Sequence, residues 1–204
     1  MKEELELVEF TFDETDEFGT GIMAVSVVKD PAIKKNFMVF SEQKSMKFEA
    51  ADKEKRLLVG PALIPDMPIF RKDGEREFYG YFPAETIEKM AYAFLRHSRQ
   101  NNSTIEHAVA SDRAIGIVES WIVADPEKDK SASLGMEVPA GTWMIAMKVQ
   151  DETMWEEWVK TGKVRGFSIE AMLSEAKKEM SVQERIENAV HEMYDQFKSN
   201  EQTA

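Results

Sequence analysis

Apolar and polar residues alternate over residues 5–12, "LELVEFTF", with the two-residue period of a half-buried strand. From Gly21 onward "GIMAVSVVKDPAI" is almost continuously apolar, which predicts a second, more buried strand stopped by Pro31. "KNFMVFSE" reads as a short third strand, and "SMKFEAADKEKRLLVGPALIP" leads through charge into an apolar run ended by Pro61 and Pro65. The period then changes. In "FPAETIEKMAYAFLR" Ile87, Met90, Ala91, Phe94 and Leu95 fall at i, i+3, i+4, i+7 and i+8, one face of a helix, with Pro83 suited to its first turn. After the polar "HSRQNNS" come three strand candidates, "TIEHAV", "AIGIVESWIV" and "GTWMIAMKV", with the charged loop "ADPEKDKSASLGMEVPA" between the last two.

"DETMWEEWVKTG" predicts a short helix with Asp151 as N-cap, Met154, Trp155, Trp158 and Val159 on one face, Lys160 in the last turn and Gly162 as terminator. It delivers the chain into the strand "VRGFSIEAML". From Ser181 a capping box, "SVQE", opens a segment with Ile186, Ala189, Val190, Met193 and Phe197 at helical spacing. This amphipathic tail either docks on the body or pairs with a partner helix. The pattern contains no internal repeat and no low-complexity tract. It predicts an α+β, β-rich domain over residues 1–178 and a helical tail over 179–204.

Composition narrows the chemistry. A chain of 204 residues, 43% hydrophobic, can bury the core of one domain. With 38 acidic against 26 basic residues its formal charge is −12, so the surface that neutralises phosphates is missing and nucleic acid is not an expected partner. No run approaches the roughly 20 apolar residues of a membrane span. The start "MKEELELVEF" is acidic and alternating, unlike a signal peptide, so a cytosolic location away from membranes is expected. The absence of cysteine excludes disulfides, a thiol nucleophile and thiolate metal sites. His97, His107 and His191 have no ligand spacing, and "ADPEKDKS" lacks the ordered spacing of a calcium loop, so no metal and no cofactor is expected. Hydroxyls, carboxylates and three imidazoles remain.

Alternation in "VRGFSIEAML" puts Phe167, Ile169, Ala171 and Leu173 on the core face, and Gly166, Ser168, Glu170 and Met172 on the other. Ser168 and Glu170 thus share a face about 7 Å apart, too far for a direct hydrogen bond along a flat strand. A serine hydroxyl becomes a nucleophile only beside a base, normally an imidazole. His97 sits among Arg96 and Arg99 as a solvated residue would, and His191 lies on the tail. His107, in "STIEHAVAS", is expected on a strand with Ile105 and Val109 as same-face neighbours, which makes it the best base. The group orienting the imidazole could be Glu119, Glu106, Asp112 or Glu170. Glu119 stands out because a carboxylate in an apolar strand must find a partner or bear a desolvation cost, although an outward position on an exposed face explains it equally well. On pattern alone, a structural serine–histidine pair also remains open. The four tryptophans read as core packing and "KDGERE" as a charged hairpin or loop.

Several long blocks, in order, resemble one family: "GIMAVSVVKDPAIKKNFMVFS", "LLVGPALIPDMPIFRKDGEREFYGYFPAETIEK", "TIEHAV", "IVESWIVADPEKDKS" and "GTWMIAMKVQDETMWEEWVKTGKVRGFSIEAML". Together they span about residues 19–173 and are similar to the XkdF-type phage serine proteases, relatives of the prohead (capsid maturation) proteases. The resemblance implies an assemblin-like β-barrel as in herpesvirus proteases, packed helices, and a serine and histidine on neighbouring strands, falling on Ser168 and His107. It implies cleavage of scaffold or major capsid protein segments, and of the enzyme's own tail, inside the immature capsid in the host cytoplasm; a homodimer would fit the distant viral relatives. Two departures stand out. The strand resembling "VSVVKDPA", which tends to follow the serine in related prohead proteases, lies here near the N-terminus, as if permuted. The position on it that often carries an acidic or imidazole third residue is Ala24. Glu119 would then fill the third role by position in space, or Ser168 and His107 would act as a dyad. The rival expectations are a protease-fold protein without activity that serves capsid assembly or binds scaffold, and a plain binding module of a mobile element.

Overall fold

The structure, a computed structural model, describes residues 5–16, 19–31, 38–40, 55–110 and 114–176. Along the chain these form strands β1 (Glu6–Thr11), β2 (Gly21–Val28), β3 (Met38–Phe40), β4 (Leu57–Leu63), β5 (Ile69–Asp73) and β6 (Arg76–Tyr81), then helix α1 (Ala84–Arg96). The second half adds β7 (Ser103–Ile105), β8 (Val109–Ala110), β9 (Ile115–Ile122), the short helix α2 (Lys130–Ser133) and β10 (Trp143–Val149). A helical turn, α3 (Glu152–Met154), continues as a π-turn over Trp155–Val159 and leads into β11 (Gly166–Met172) and β12 (Ser174–Glu175).

The strands pair into three four-stranded sheets, β12-β1-β6-β5, β3-β4-β10-β9 and β11-β2-β7-β8. The chain is therefore β-rich α+β, as its periodicities predict. Among the described residues each sheet ends at edge strands and the ladders close no barrel. The amphipathic tail, with His191, lies outside the described residues.

One main core joins the three sheets. Strand β10 supplies Trp143, Ile145, Met147 and Val149 to it and Met144 to a second, smaller cluster, all 0% exposed. Buried on both faces, it carries no alternation, as a central strand should not. Helix α1 packs on β2 and β10. Its Ile87, Met90, Ala91 and Phe94 are buried, and the Phe94 ring meets Trp143 edge-on at 5.6 Å. Fully burying such a side chain contributes about 1.5–3 kcal/mol. Leu95, expected on the same stripe, is exposed, because at i+8 it has turned about 80° from Ile87. Asp151 caps α3 as predicted, its carboxylate accepting from Met154 N at 2.6 Å. "KDGERE" is a hairpin, with Asp73 paired to Arg76 and Gly74 at φ 58° taking the left-handed turn position.

One predicted break moves and one unpredicted break appears. Pro61 does not end its strand: β4 runs to Leu63. Strand β3 pairs only with Leu57–Val59, so Pro61 has no ladder to break on that side, and a register shift opposite it at Trp143/Met144 accommodates it on the other. "TIEHAV", expected as one strand, is instead two short strands around a turn. Glu106 (φ 51°) and His107 (φ 58°) are both left-handed, and Ala108 N donates to Ile105 O at 3.1 Å to close the turn. Histidine tolerates this region better than a β-branched residue does.

The turn is held in place from β2. Glu106 N donates to Val27 O at 3.1 Å, and the Glu106 carboxylate accepts from Lys29 N at 2.5 Å. Residues kept at sparsely populated φ by such contacts cost of order 1–3 kcal/mol each, and the contacts offset it.

Candidate active site

The sheet β11-β2-β7-β8 has one apolar face and one polar face. Val25 and Val27 on β2 and Phe167 on β11 enter the core. Pointing the other way, Ser168 on β11 lies opposite Ser26 on β2, and Ser26 lies opposite Thr104 on β7, so three hydroxyls form a row across three adjacent strands. Two residues beyond Ser168 stands Glu170, paired with Ala24. The methyl group of Ala24 leaves the space over β2 open, and the Glu170 side chain crosses it.

Glu170 Oε1 accepts from Ser26 Oγ at 2.8 Å and from Thr104 Oγ1, and lies 3.2 Å from His107 Nδ1. Ser26 Oγ is also 3.0 Å from His107 Nδ1 and within hydrogen-bond reach of Thr104 Oγ1. Counting protons assigns the tautomer. A carboxylate only accepts, and the Ser26 proton is committed to it, so the nitrogen facing both groups must donate. Nδ1 therefore carries the proton, and in the neutral ring Nε2 holds the lone pair of a base. Burial pushes the Glu170 pKa up, but hydrogen bonds from Thr104, Ser26 and His107 outweigh it, and the net shift is downward. The anion at the centre of the cluster is what those donors stabilise.

Burial separates the two serines. Ser26 is 0% exposed and cannot meet a substrate. Ser168 is half-buried and lines a cleft of about 390 Å³ together with His107, Glu170 and Arg71. Among the described residues no hydrogen bond joins Ser168 Oγ to the His107 ring, whose Nδ1 faces Ser26 and Glu170.

The expected site residues thus divide. Ser168 and His107 come together on one cleft, with Glu170 between the imidazole and the sheet. Glu119 does not join them. It lies on β9 in a different sheet, ion-paired with Lys130, and lines a separate cleft with Leu95, Gln100 and Ser120. Its partner is Lys130, which satisfies the carboxylate without an imidazole. Glu106 binds the backbone of Lys29, and Asp112 lies outside the described residues. The sequence pattern does not mark Ser26 and Thr104 as site residues, although a lone serine in the apolar run "AVSVV" is a polar group that must find partners.

No curated protein and no solved structure matches the chain. Residues 45–178 match the model of a family described as "Putative phage serine protease XkdF", a span that contains Ser168, His107 and Glu170. A match over roughly two thirds of the sequence shows that the chain belongs to that family.

Proposed function

We propose that the chain is a serine endopeptidase of phage capsid maturation, with Ser168 as nucleophile, His107 as general base and Glu170 as the carboxylate that orients the imidazole. The observation that carries this reading is the shared cleft. It exposes Ser168 beside a histidine whose Nδ1 is engaged by a carboxylate, which leaves Nε2 as the free base. Ser168 Oγ attacks the scissile carbonyl while its proton passes to His107 Nε2. The imidazolium returns that proton to the leaving amine, and water then hydrolyses the acyl-enzyme with the same base. Backbone N–H groups at the cleft stabilise the oxyanion. Substrate binding draws the serine and the ring into hydrogen-bond reach, since catalytic hydrogen bonds often tighten only in the bound state.

The substrates are the scaffold and the removable segment of the major capsid protein, cut inside the immature capsid in the host cytoplasm, with no metal, cofactor, nucleic acid or membrane taking part. An assemblin-like β-barrel over residues 1–178, a homodimer and an amphipathic tail over residues 179–204 belong to the same reading. The test is co-expression of wild type or Ser168→Ala with the phage's own capsid and scaffold proteins, followed by mass measurement of the fragments. New fragments that vanish with Ser168→Ala are expected. Identical patterns would sink the protease reading and favour an inactive protease-fold protein that binds scaffold.

A further inference from the structure

Arg71 lies on β5, in the sheet β12-β1-β6-β5, yet its side chain lines the same cleft as Ser168 and His107. A guanidinium has five N–H donors. Among the described residues that of Arg71 makes one hydrogen bond, from Nη1 to the Phe70 carbonyl at 3.1 Å, and no ion pair. Its neighbours on the same hairpin are differently placed. Arg76 is bonded to Glu6 and Glu175, both at 2.8 Å, and Lys72 to Glu77 at 2.8 Å. In a chain with 38 acidic residues, Arg71 is a half-buried cation with no carboxylate partner among the described residues. Among the described residues the one carboxylate that shares the cleft, Glu170, is already taken by Thr104, Ser26 and His107. Burial lowers the Arg71 pKa, as expected for a charge that has lost water and gained no carboxylate partner among the described residues.

We infer that Arg71 is the anchor for an acidic side chain of the polypeptide that Ser168 cuts, an Asp or Glu lying within about two residues of the scissile bond. This assignment rests on the endopeptidase reading above. The planar fork of donors matches a carboxylate in two parallel hydrogen bonds. A cleft of about 390 Å³ is roughly 7 Å across, the length of two residues of extended chain, which sets how far the acid can lie from the cut bond.

The experiment uses the full chain and a chymotryptic digest of a bacterial proteome, with cut sites mapped by mass spectrometry for wild type, Ser168→Ala, Arg71→Gln, Arg71→Glu and Arg71→Lys. Wild type is expected to cut only where Asp or Glu occupies one fixed position near the bond. Changing that residue to Gln in the best peptide should lower kcat/KM about ten- to a hundredfold, the loss of a charge-assisted bidentate contact. Arg71→Gln should erase that difference, and Arg71→Glu should turn the preference toward Lys. Wild-type cuts without acidic enrichment would overturn the inference and leave the protease reading intact. So would an Arg71→Gln variant that slows Glu and Gln peptides equally through kcat, because that pattern belongs to a group acting on the oxyanion. Arg71→Lys keeps the charge and guards against misfolding; cutting by a folded Lys variant without acidic preference also overturns the assignment. If nothing is cut in a Ser168-dependent way, the endopeptidase reading fails first and the anchor falls with it.

Discussion

Replacing Glu170 by Gln removes one charge and almost no volume, which makes it the sharpest probe of the cluster. The carboxylate receives Ser26 Oγ at 2.8 Å, Thr104 Oγ1, and His107 Nδ1 at 3.2 Å. A hydrogen bond to a charged group is worth about 1 kcal/mol more than a neutral one, so three of them amount to roughly 3 kcal/mol. The side chain is 34% exposed, and solvent screening reduces this to about 1–2 kcal/mol. For a domain of this size that lowers the melting temperature by about 2–8 °C. The catalytic effect should be far larger. An amide can turn its NH2 toward Nδ1, which then accepts, and the ring proton moves to Nε2, where no base remains. The same carboxylate-to-amide change in a serine protease triad costs about 10⁴ in kcat, and here a loss of about 10²–10⁴ with little change in KM is expected.

Acid adds a second readout of the same substitution. The pKa of Glu170 is pushed up by burial and pulled down further by its three donors, and ends below the usual 4.5. A depressed carboxylate contributes stability that is full above the unfolded-state value and is lost as pH falls through the folded one. The melting difference between wild type and Glu170→Gln should therefore be greatest near neutrality and shrink below about pH 4.5. Calorimetry across that range, with steady-state cleavage at neutral pH, checks both parts. A variant that melts lower but keeps kcat within threefold would reduce Glu170 to a structural role. A melting difference that grows on acidification would refute the electrostatic account.

Two further substitutions test the placement of other residues. Glu119→Gln loses only an ion pair with Lys130 whose side chains are 43% and 45% exposed; cleavage should stay within about twofold and stability within about 0.5 kcal/mol, and a tenfold fall in kcat would return Glu119 to the catalytic site. Gly80→Ala would set a Cβ 2.0 Å from Phe10 Cε2, in a ring that is 6% exposed and packed on Phe78 and Phe82. Overpacking of this kind should cost about 1–3 kcal/mol, read as a lower melting temperature, and an unchanged one would contradict the tight approach of β6 to β1.

What could be read from sequence follows from how local each cause is. Alternation in "GFSIEAM" assigns Ser168 to the polar face because period two is a property of one strand, and Phe167, Ile169 and Ala171 do pack on the core while Ser168 lies opposite Ser26. The helix over Ala84–Arg96 and the Asp151 cap are legible for the same reason. The turn at Glu106 and His107 is not, since two left-handed residues are imposed by contacts to Val27 and Lys29, far away in the chain. Glu119 stands out in the sequence because a carboxylate among apolar neighbours needs a partner, but that premise cannot name the partner, and Lys130 supplies it. Glu170 is one of four carboxylates that the sequence leaves open, and its distance of about 7 Å from Ser168 along the strand excludes only a direct hydrogen bond between the two. That distance is the wrong measure, because in a triad the carboxylate reaches the imidazole and the imidazole reaches the serine.

On the endopeptidase reading, the same geometry accounts for an acid that the family resemblance would place on β2 and that this chain does not carry there. The β2 position at which the resemblance implies an acid or imidazole holds Ala24, and its partner in the antiparallel ladder is Glu170. Directly opposed residues on one face of such a ladder have Cβ atoms about 4.5–5.5 Å apart, less than the reach of a glutamate side chain. An acid at either position can therefore deliver its carboxylate to the same point beside His107. Only one of the two can be large, since both side chains would occupy the space over β2. A small residue at position 24 is then a requirement of the carboxylate at 170. The buried hydroxyls of Ser26 and Thr104 follow from the same exchange, because a carboxylate that crosses the sheet from β11 passes over β2 and β7 and takes its hydrogen bonds from them on the way.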